Sequence, residues 1–190
     1  MKNSIRTILE EASRVKSAVA SDNALLETLG KAATIFCSTA RSGKTVYACG
    51  NGGSTCDAMH LVEELVARFK RERPGIRAMH FMDAATMTCW SNDYDFESAF
   101  ERQARTFCQP GDLLFGFSTS GNSKNVVRAL KAARELGATT IALTGESGGA
   151  LKDIAHLCLQ APSKVTERVQ EVHITFVHTL IEVVEKELFS

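Results

Sequence analysis

Short apolar runs alternate with longer amphipathic ones from residue 45 onward, and that alternation leaves few folds open to the chain. Thr45 to Cys49, Ile76 to Phe81, Leu113 to Phe117, Thr139 to Leu143 and His156 to Leu159 read as strands. Helical patterns fall between them: near Thr55 to Lys70, between Ala84 and Phe107, from Ser123 to Leu136, briefly near Ala150, and finally from Glu167 to Leu188. Two further helices precede the first strand, broken near Ser21-Asp22-Asn23, where Ser or Asp can cap the second. Parallel strands need a crossover, and each crossover helix must pack back on the sheet. The order therefore predicts an α/β three-layer sandwich with a parallel sheet covered on both faces. At 190 residues one such domain accounts for the whole chain, with no linker and no internal repeat.

Ligands of such sheets bind beyond the carboxyl ends of the strands. Two loops rich in small residues fall there: Gly50-Asn51-Gly52-Gly53-Ser54 and Ser118-Thr119-Ser120-Gly121-Asn122-Ser123. A helix N-terminus presents unpaired N–H groups and the positive end of the macrodipole, which suits an anion, above all phosphate. One serine in the second loop would read as a turn or cap. Three serines and a threonine in six residues exceed what a cap needs, so the loop points to a phosphorylated small molecule.

Two look-alikes drop out. Ser42-Gly43-Lys44-Thr45 ends like a P-loop, but Ser38 stands where the first glycine is required and a strand follows instead of preceding it, so a helix C-cap and turn is expected. Gly50-Asn51-Gly52-Gly53-Ser54-Thr55 starts like a dinucleotide fingerprint, yet Thr55 replaces the third small residue. No nucleotide cofactor is expected.

Lys plus Arg and Asp plus Glu number 22 each, so no global field favours nucleic acid or an anionic membrane. The basic run Arg68-Phe69-Lys70-Arg71-Glu72-Arg73 reads as the solvated end of a helix. Cys37, Cys49, Cys56, Cys89, Cys108 and Cys158 show neither a C-x-x-C pair nor metal spacing, a pattern that suits free thiols in a reducing cytosol. Without a membrane span or an apolar leader, the expected location is cytoplasmic.

Four residues carry the strongest chemical signal. His60 and Glu64 are four apart on one helix face, where imidazole and carboxylate can ligate a metal, share a proton transfer, or merely make a solvated contact. On the last helix Gln170 and His178 are separated by about 80° and can face one site, whereas His173 lies about 140° from His178 and suits packing or an interface. The same eight residues span about 12 Å, wide for two ligands of one metal. Asn92-Asp93 precedes another helical stretch, where Asp93 can be a cap or an acceptor for a sugar hydroxyl.

Together these motifs resemble the SIS (sugar isomerase) domains and, within them, the phosphoheptose isomerases. The resemblance runs nearly end to end through Cys49-Gly50-Asn51-Gly52-Gly53-Ser54, Cys56-Asp57-Ala58-Met59-His60, Glu63-Glu64-Leu65, Asn92-Asp93, Gly111-Asp112, Ser118 to Ser123, Leu143-Thr144-Gly145 and Arg168-Val169-Gln170-Glu171-Val172-His173. It implies a five-stranded sheet and a homotetramer with active sites at subunit interfaces. The helices of residues 1–41 would serve assembly and residues 45–190 would bind the sugar phosphate. It implies isomerisation of sedoheptulose 7-phosphate to D-glycero-D-manno-heptose 7-phosphate, an early step toward the heptose of lipopolysaccharide or related glycans.

By motif, Asn51, Gly52, Gly53, Ser54, His60, Glu64, Asn92, Asp93, Glu167 and Gln170 would contact substrate, and Ser118, Thr119, Ser120 and Ser123 would hold its phosphate. His60, Glu64, Gln170 and His178 match zinc positions, and Glu64 and His178 match the acid/base pair. A tight zinc ligand is not free to shuttle protons, which leaves the metal catalytic, structural or inhibitory. Glu167 departs from the aspartate of some relatives, keeping the carboxylate on a longer stem. Two other readings share the loop: a non-catalytic adapter that binds the replication initiator, whose kind lack the Glu64 and His178 equivalents, and an isomerase or sensor for another sugar phosphate.

Overall fold

The computed structural model describes residues 1–189. Helices α1 (Lys2–Ser21) and α2 (Asn23–Arg41) come first, separated by Asp22, whose carboxylate accepts the Leu25 N–H at 3.0 Å. Asp22 therefore caps α2, and Ser21 ends α1. Then follow β1 (Val46–Gly50), α3 (Gly53–Val66), β2 (Ala78–His80), α4 (Ala84–Asp93), a 3₁₀ turn (Phe96–Ser98), α5 (Ala99–Phe107) and β3 (Leu113–Ser118). The chain closes with α6 (Lys124–Glu135), β4 (Thr139–Thr144), α7 (Leu151–Ile154), β5 (Leu157–Gln160) and α8 (Thr166–Phe189).

The strands form one parallel sheet in the order β2-β1-β3-β4-β5. Alternation along each strand divides the core in two. Val46, Ala48, Leu113, Phe115 and Phe117 face α2, α3 and α8, whereas Tyr47, Cys49 and Leu114 face the α4 to α7 side. The expected three-layer sandwich is thus present. Strand order reverses between β1 and β3, where Gly50 pairs with Phe117, so the loops after these two strands are neighbours at the switch point.

Three stretches differ from expectation. Helix α3 stops at Val66 instead of running to Lys70, because the Phe69, Lys70 and Arg71 N–H groups turn to the Glu185 carboxylate. The basic run is therefore not a solvated helix end: the Arg73 side chain is completely buried against Glu185, while Arg68 and Lys70 stay exposed or partly so. Strand β2 is shorter than Ile76 to Phe81 because the Ile76 N–H donates to the Leu65 carbonyl at 2.9 Å. The helical stretch from 84 to 107 breaks at Tyr94, where Asp95 accepts the Ser98 N–H and starts a new turn. Asp93 is consequently the last residue of α4 and no helix cap; Asp83 caps α4.

Phe115 shows how firmly the sheet holds α2. It is 1% exposed and its ring lies 5.6 Å from that of Phe36. Phe115→Ala removes a buried ring from between sheet and helix and is expected to destabilise the fold by about 3–5 kcal/mol, read as a shift in the denaturant midpoint at unchanged slope.

Candidate active site

The two loops at the switch point are built differently. Ser118 and Ser123 hydroxyls bond to each other at 2.8 Å across the second loop, and Ser123 makes no side-chain cap on α6. The first turn of α6 is accordingly left without a side-chain cap, next to the paired Ser118 and Ser123 hydroxyls. Gly121 has φ +68 and no room for a Cβ against the Gly148 carbonyl, so this bend requires glycine. Thr119 accepts the Gly145 N–H at 2.9 Å through its carbonyl, and Ser120 Oγ accepts the Asn122 N–H at 3.1 Å. A reciprocal amide pair, Asn51 with Asn125 at 2.8 Å in both directions, ties the first loop to α6.

The ionisable residues lie along a seam where α3 and α8 run side by side in the same direction. At its upper end a Cβ on Gly53 would come within 2.5 Å of Gln170 Nε2, so only glycine lets the α8 amide approach the start of α3. Gly53, Cys56, Asp57, His60, Glu167 and Gln170 line a cleft of about 490 Å³ there. Further down, His60 Nε2 sits 2.9 Å from His178 Nε2 and 3.3 Å from Glu64 Oε1. Phe69 stacks on the His178 ring with centroids 5.6 Å apart and planes at 19°.

Burial pushes the His178 imidazole below its ordinary range, His60 and then Lys70 push the same way, and Glu64 opposes them. At neutral pH His178 is therefore a neutral ring that donates or accepts one proton. His60, Glu64 and His178 each offer one ligand atom, and these atoms all lie within 4.8 Å of one another. Two imidazole nitrogens and one carboxylate oxygen form a donor set that zinc accepts, and the separations suit a single ion. Residues on two different helices thus converge, which turns the His60/Glu64 pair from an ordinary surface contact into part of a cluster.

The other expected residues divide clearly. Gln170 and Glu167 share the cleft with His60, and Ser54 is buried at the start of α3 with its N–H on the Asn51 carbonyl. Gly52 has φ +54 and precedes α3 as its cap residue. Asn92 and Asp93 stand apart from the seam: they are exposed, and their hydrogen bonds run to each other and to Cys89. His173 is fully buried and its Nε2 meets the Thr144 carbonyl at 3.2 Å, the packing role expected of it. Asp57, Asn125 and Glu185 join the site without a role expected from the sequence, and Phe69 and Arg73 join it in place of the solvated helix end expected of them. Asp57 lies inside the Cys56 to His60 motif and Asn125 two residues beyond the serine loop, so each carries a local signal. The remaining three reach the site only through long-range contacts.

A hydroxyl-rich loop at the switch point of a parallel α/β sheet, in one chain with an imidazole and carboxylate cluster, is the combination found in a sugar-phosphate isomerase. The SIS domain family model matches residues 9–145 of the chain. Phosphoheptose isomerases from Aquifex aeolicus and Proteus mirabilis are 44% and 42% identical over 98% and 97% of this chain and 97% and 96% of their own lengths. The solved structure of the phosphoheptose isomerase from Neisseria gonorrhoeae superimposes with a TM-score of 0.91 at 32% identity, covering 97% of this chain and 98% of that one. The chain belongs to the phosphoheptose isomerase family of SIS domain proteins and is an isomerase.

Two buried groups near the seam titrate in opposite senses. Burial pushes the Asp57 carboxyl up to about 7, with Oδ2 left unpartnered, and pushes the His173 imidazole down to about 4. Between the ordinary carboxylate range and about 7 the folded state holds the Asp57 proton longer than the unfolded chain does, so this group lowers stability as pH rises. Above about 4 the unfolded chain holds the His173 proton longer, so His173 raises stability as pH rises toward the ordinary imidazole range. Asp57→Asn removes only the first effect. Its melting temperature is expected to climb more steeply than the parent's from pH 4.5 to 6.5 and to exceed the parent's at pH 8, measured by thermal denaturation across that range.

Proposed function

We propose that this isomerase interconverts sedoheptulose 7-phosphate and D-glycero-D-manno-heptose 7-phosphate. The observation that carries the reading is the convergence of His60, Glu64 and His178 along the α3–α8 seam, in a chain whose α6 starts without a side-chain cap. Relatives named phosphoheptose isomerase at 42–44% identity over nearly the full chain support the heptose substrate.

The chemistry follows from the residues. The Ser118 to Ser123 loop holds the phosphate and fixes the far end of an open-chain ketose, so binding energy orients the reacting carbons. Glu64 takes the proton from C1 as the carbonyl oxygen on C2 receives a proton from His178, which gives an enediol. The O1 proton then returns to His178 while the Glu64 carboxyl delivers its proton to C2. Both groups end as they began, and the product is the aldose. A neutral, partly buried His178 suits this exchange, because it donates one ring proton and accepts one without a lasting charge. His60, Glu64, Gln170 and His178 would hold a zinc ion whose charge could polarise the carbonyl or orient the substrate oxygens, but Glu64 and His178 shuttle protons only when not bound tightly to it.

The assembly we infer is a homotetramer that completes its sites across subunit interfaces through the helices of residues 1–41. Ile5, Ile8 and Leu9 on α1 are more than half exposed, the apolar surface that such an assembly would cover. Asn92 and Asp93, exposed and without a hydrogen bond to the seam in their own chain, would then serve a neighbouring site. The product would enter heptose synthesis for lipopolysaccharide or a related glycan, in the cytoplasm.

Solvent deuterium incorporation, followed by NMR over a panel of ketose phosphates, tests substrate and proton abstraction together. Exchange is expected with sedoheptulose 7-phosphate ahead of hexulose and pentulose phosphates. Glu64→Gln and His178→Gln are each expected to lower turnover at least about a thousandfold with the parental melting temperature retained. Parental turnover in both variants would overturn the assignment.

A further inference from the structure

Below the His60, Glu64 and His178 cluster, α3 and α8 are joined by a buried polar knot. The Arg73 side chain donates from Nε to Glu185 Oε1 at 2.8 Å, from Nη2 to the Glu64 carbonyl at 2.7 Å and from Nη1 to the Leu65 carbonyl at 3.0 Å. Glu185, about two turns beyond His178 on α8, also accepts the backbone N–H groups of Phe69, Lys70 and Arg71 at 3.2, 3.0 and 3.2 Å. Arg73 and Glu185 side chains are 0% and 2% exposed. Because Glu185 grips the Phe69 N–H, the turn after α3 is held where the Phe69 ring lies flat on His178.

A buried ion pair is a weak source of stability, since desolvation offsets most of its attraction and apolar residues of equal volume often serve as well. Its value here is geometric. One guanidinium fixes the main chain of Glu64, and one carboxylate fixes both that guanidinium and the aromatic wall of His178. The two residues that must exchange protons with adjacent carbons sit on separate helices, and this knot ties those helices together directly beneath them.

We propose that Arg73, Glu185 and Phe69 are positioning residues that set the separation of Glu64 from His178 and the orientation of the His178 ring; the proposal rests on the assignment of Glu64 and His178 as the acid/base pair. None of the three touches the Ser118 to Ser123 loop, so the phosphate grip should be indifferent to their loss. An error of about 1 Å between reacting groups can reduce turnover by about a hundredfold, which leaves ample signal.

The test compares Phe69→Leu, Arg73→Lys and the paired Arg73→Met/Glu185→Leu with the parent. Melting temperature, kcat and KM for sedoheptulose 7-phosphate, and the His178 ring-proton shifts, assigned by their loss in His178→Gln, are measured for each. Phe69→Leu is expected to melt within a few degrees of the parent, to move the His178 ring protons downfield as ring-current shielding is lost, and to lower kcat about tenfold with KM within about twofold. Lysine keeps the charge at position 73 but cannot bridge two carbonyls and a carboxylate, so Arg73→Lys is expected to lower kcat likewise. The paired variant leaves no buried charge behind, and low kcat in that folded protein separates positioning from stability. Parental kcat in Phe69→Leu and in the paired variant overturns the proposal, as does a loss of kcat matched by an equal loss of folded protein. A parent that fails to exchange deuterium with any ketose phosphate, with the His178 shifts as expected, overturns the functional reading instead.

Discussion

Parallel pairing governs this molecule, because a parallel strand cannot return through a tight turn and every crossover must carry a helix back over the sheet. All strand carboxyl ends therefore lie along one edge, each followed by a loop and a helix start. With the order β2-β1-β3-β4-β5, the loops after β1 and β3 diverge to opposite faces of the sheet from adjacent positions. That opening receives the two glycine- and serine-rich loops, and the Asn51–Asn125 amide pair ties the first of them to α6. The placement of the loop proposed to hold the phosphate is thus a consequence of topology before it is one of side chains.

The reactive groups depend on a second relation, the parallel course of α3 and α8. Gly53 against Gln170, His60 against His178 and the Glu64 and Leu65 carbonyls against the Arg73–Glu185 pair follow in order down one seam. At the top the Gln170 side-chain amide occupies the space a side chain on Gly53 would fill, and at the bottom buried hydrogen bonds link the two segments. Between them the polar groups meet in a partly buried setting, where neighbouring charges act more strongly than in water. The depressed His178 pKa and the elevated one of Asp57 both come from this loss of solvent.

Much of the architecture was legible because its signals are local. Apolar runs bounded by glycine or serine marked the strands, and the breaks near Asp22 and Gly43 coincide with an Asp cap and a positive-φ turn. Elements went astray where a distant residue intervened. Helix α3 ends early because Glu185, more than a hundred positions away, takes the N–H groups that would have continued it. Asp93 looked like a cap from its polar neighbours, but the chain turns one residue later and leaves it at a helix end. The basic run looked solvated because composition cannot register that Arg73 points inward.

By itself the sequence determined the βα alternation, the two anion-suited loops, and the residue types able to carry acid/base or metal chemistry, since each follows from spacing over a few residues. Whether His60 and Glu64 were a surface pair or part of a cluster was beyond its reach. Only the packing of α8 on α3 brings His178 to 2.9 Å from His60, with the buried Arg73–Glu185 pair lying at the foot of the same seam. The physical reason is that periodicity reports which face of a helix is apolar, while the partner of each polar group is chosen by contacts between segments far apart in the chain.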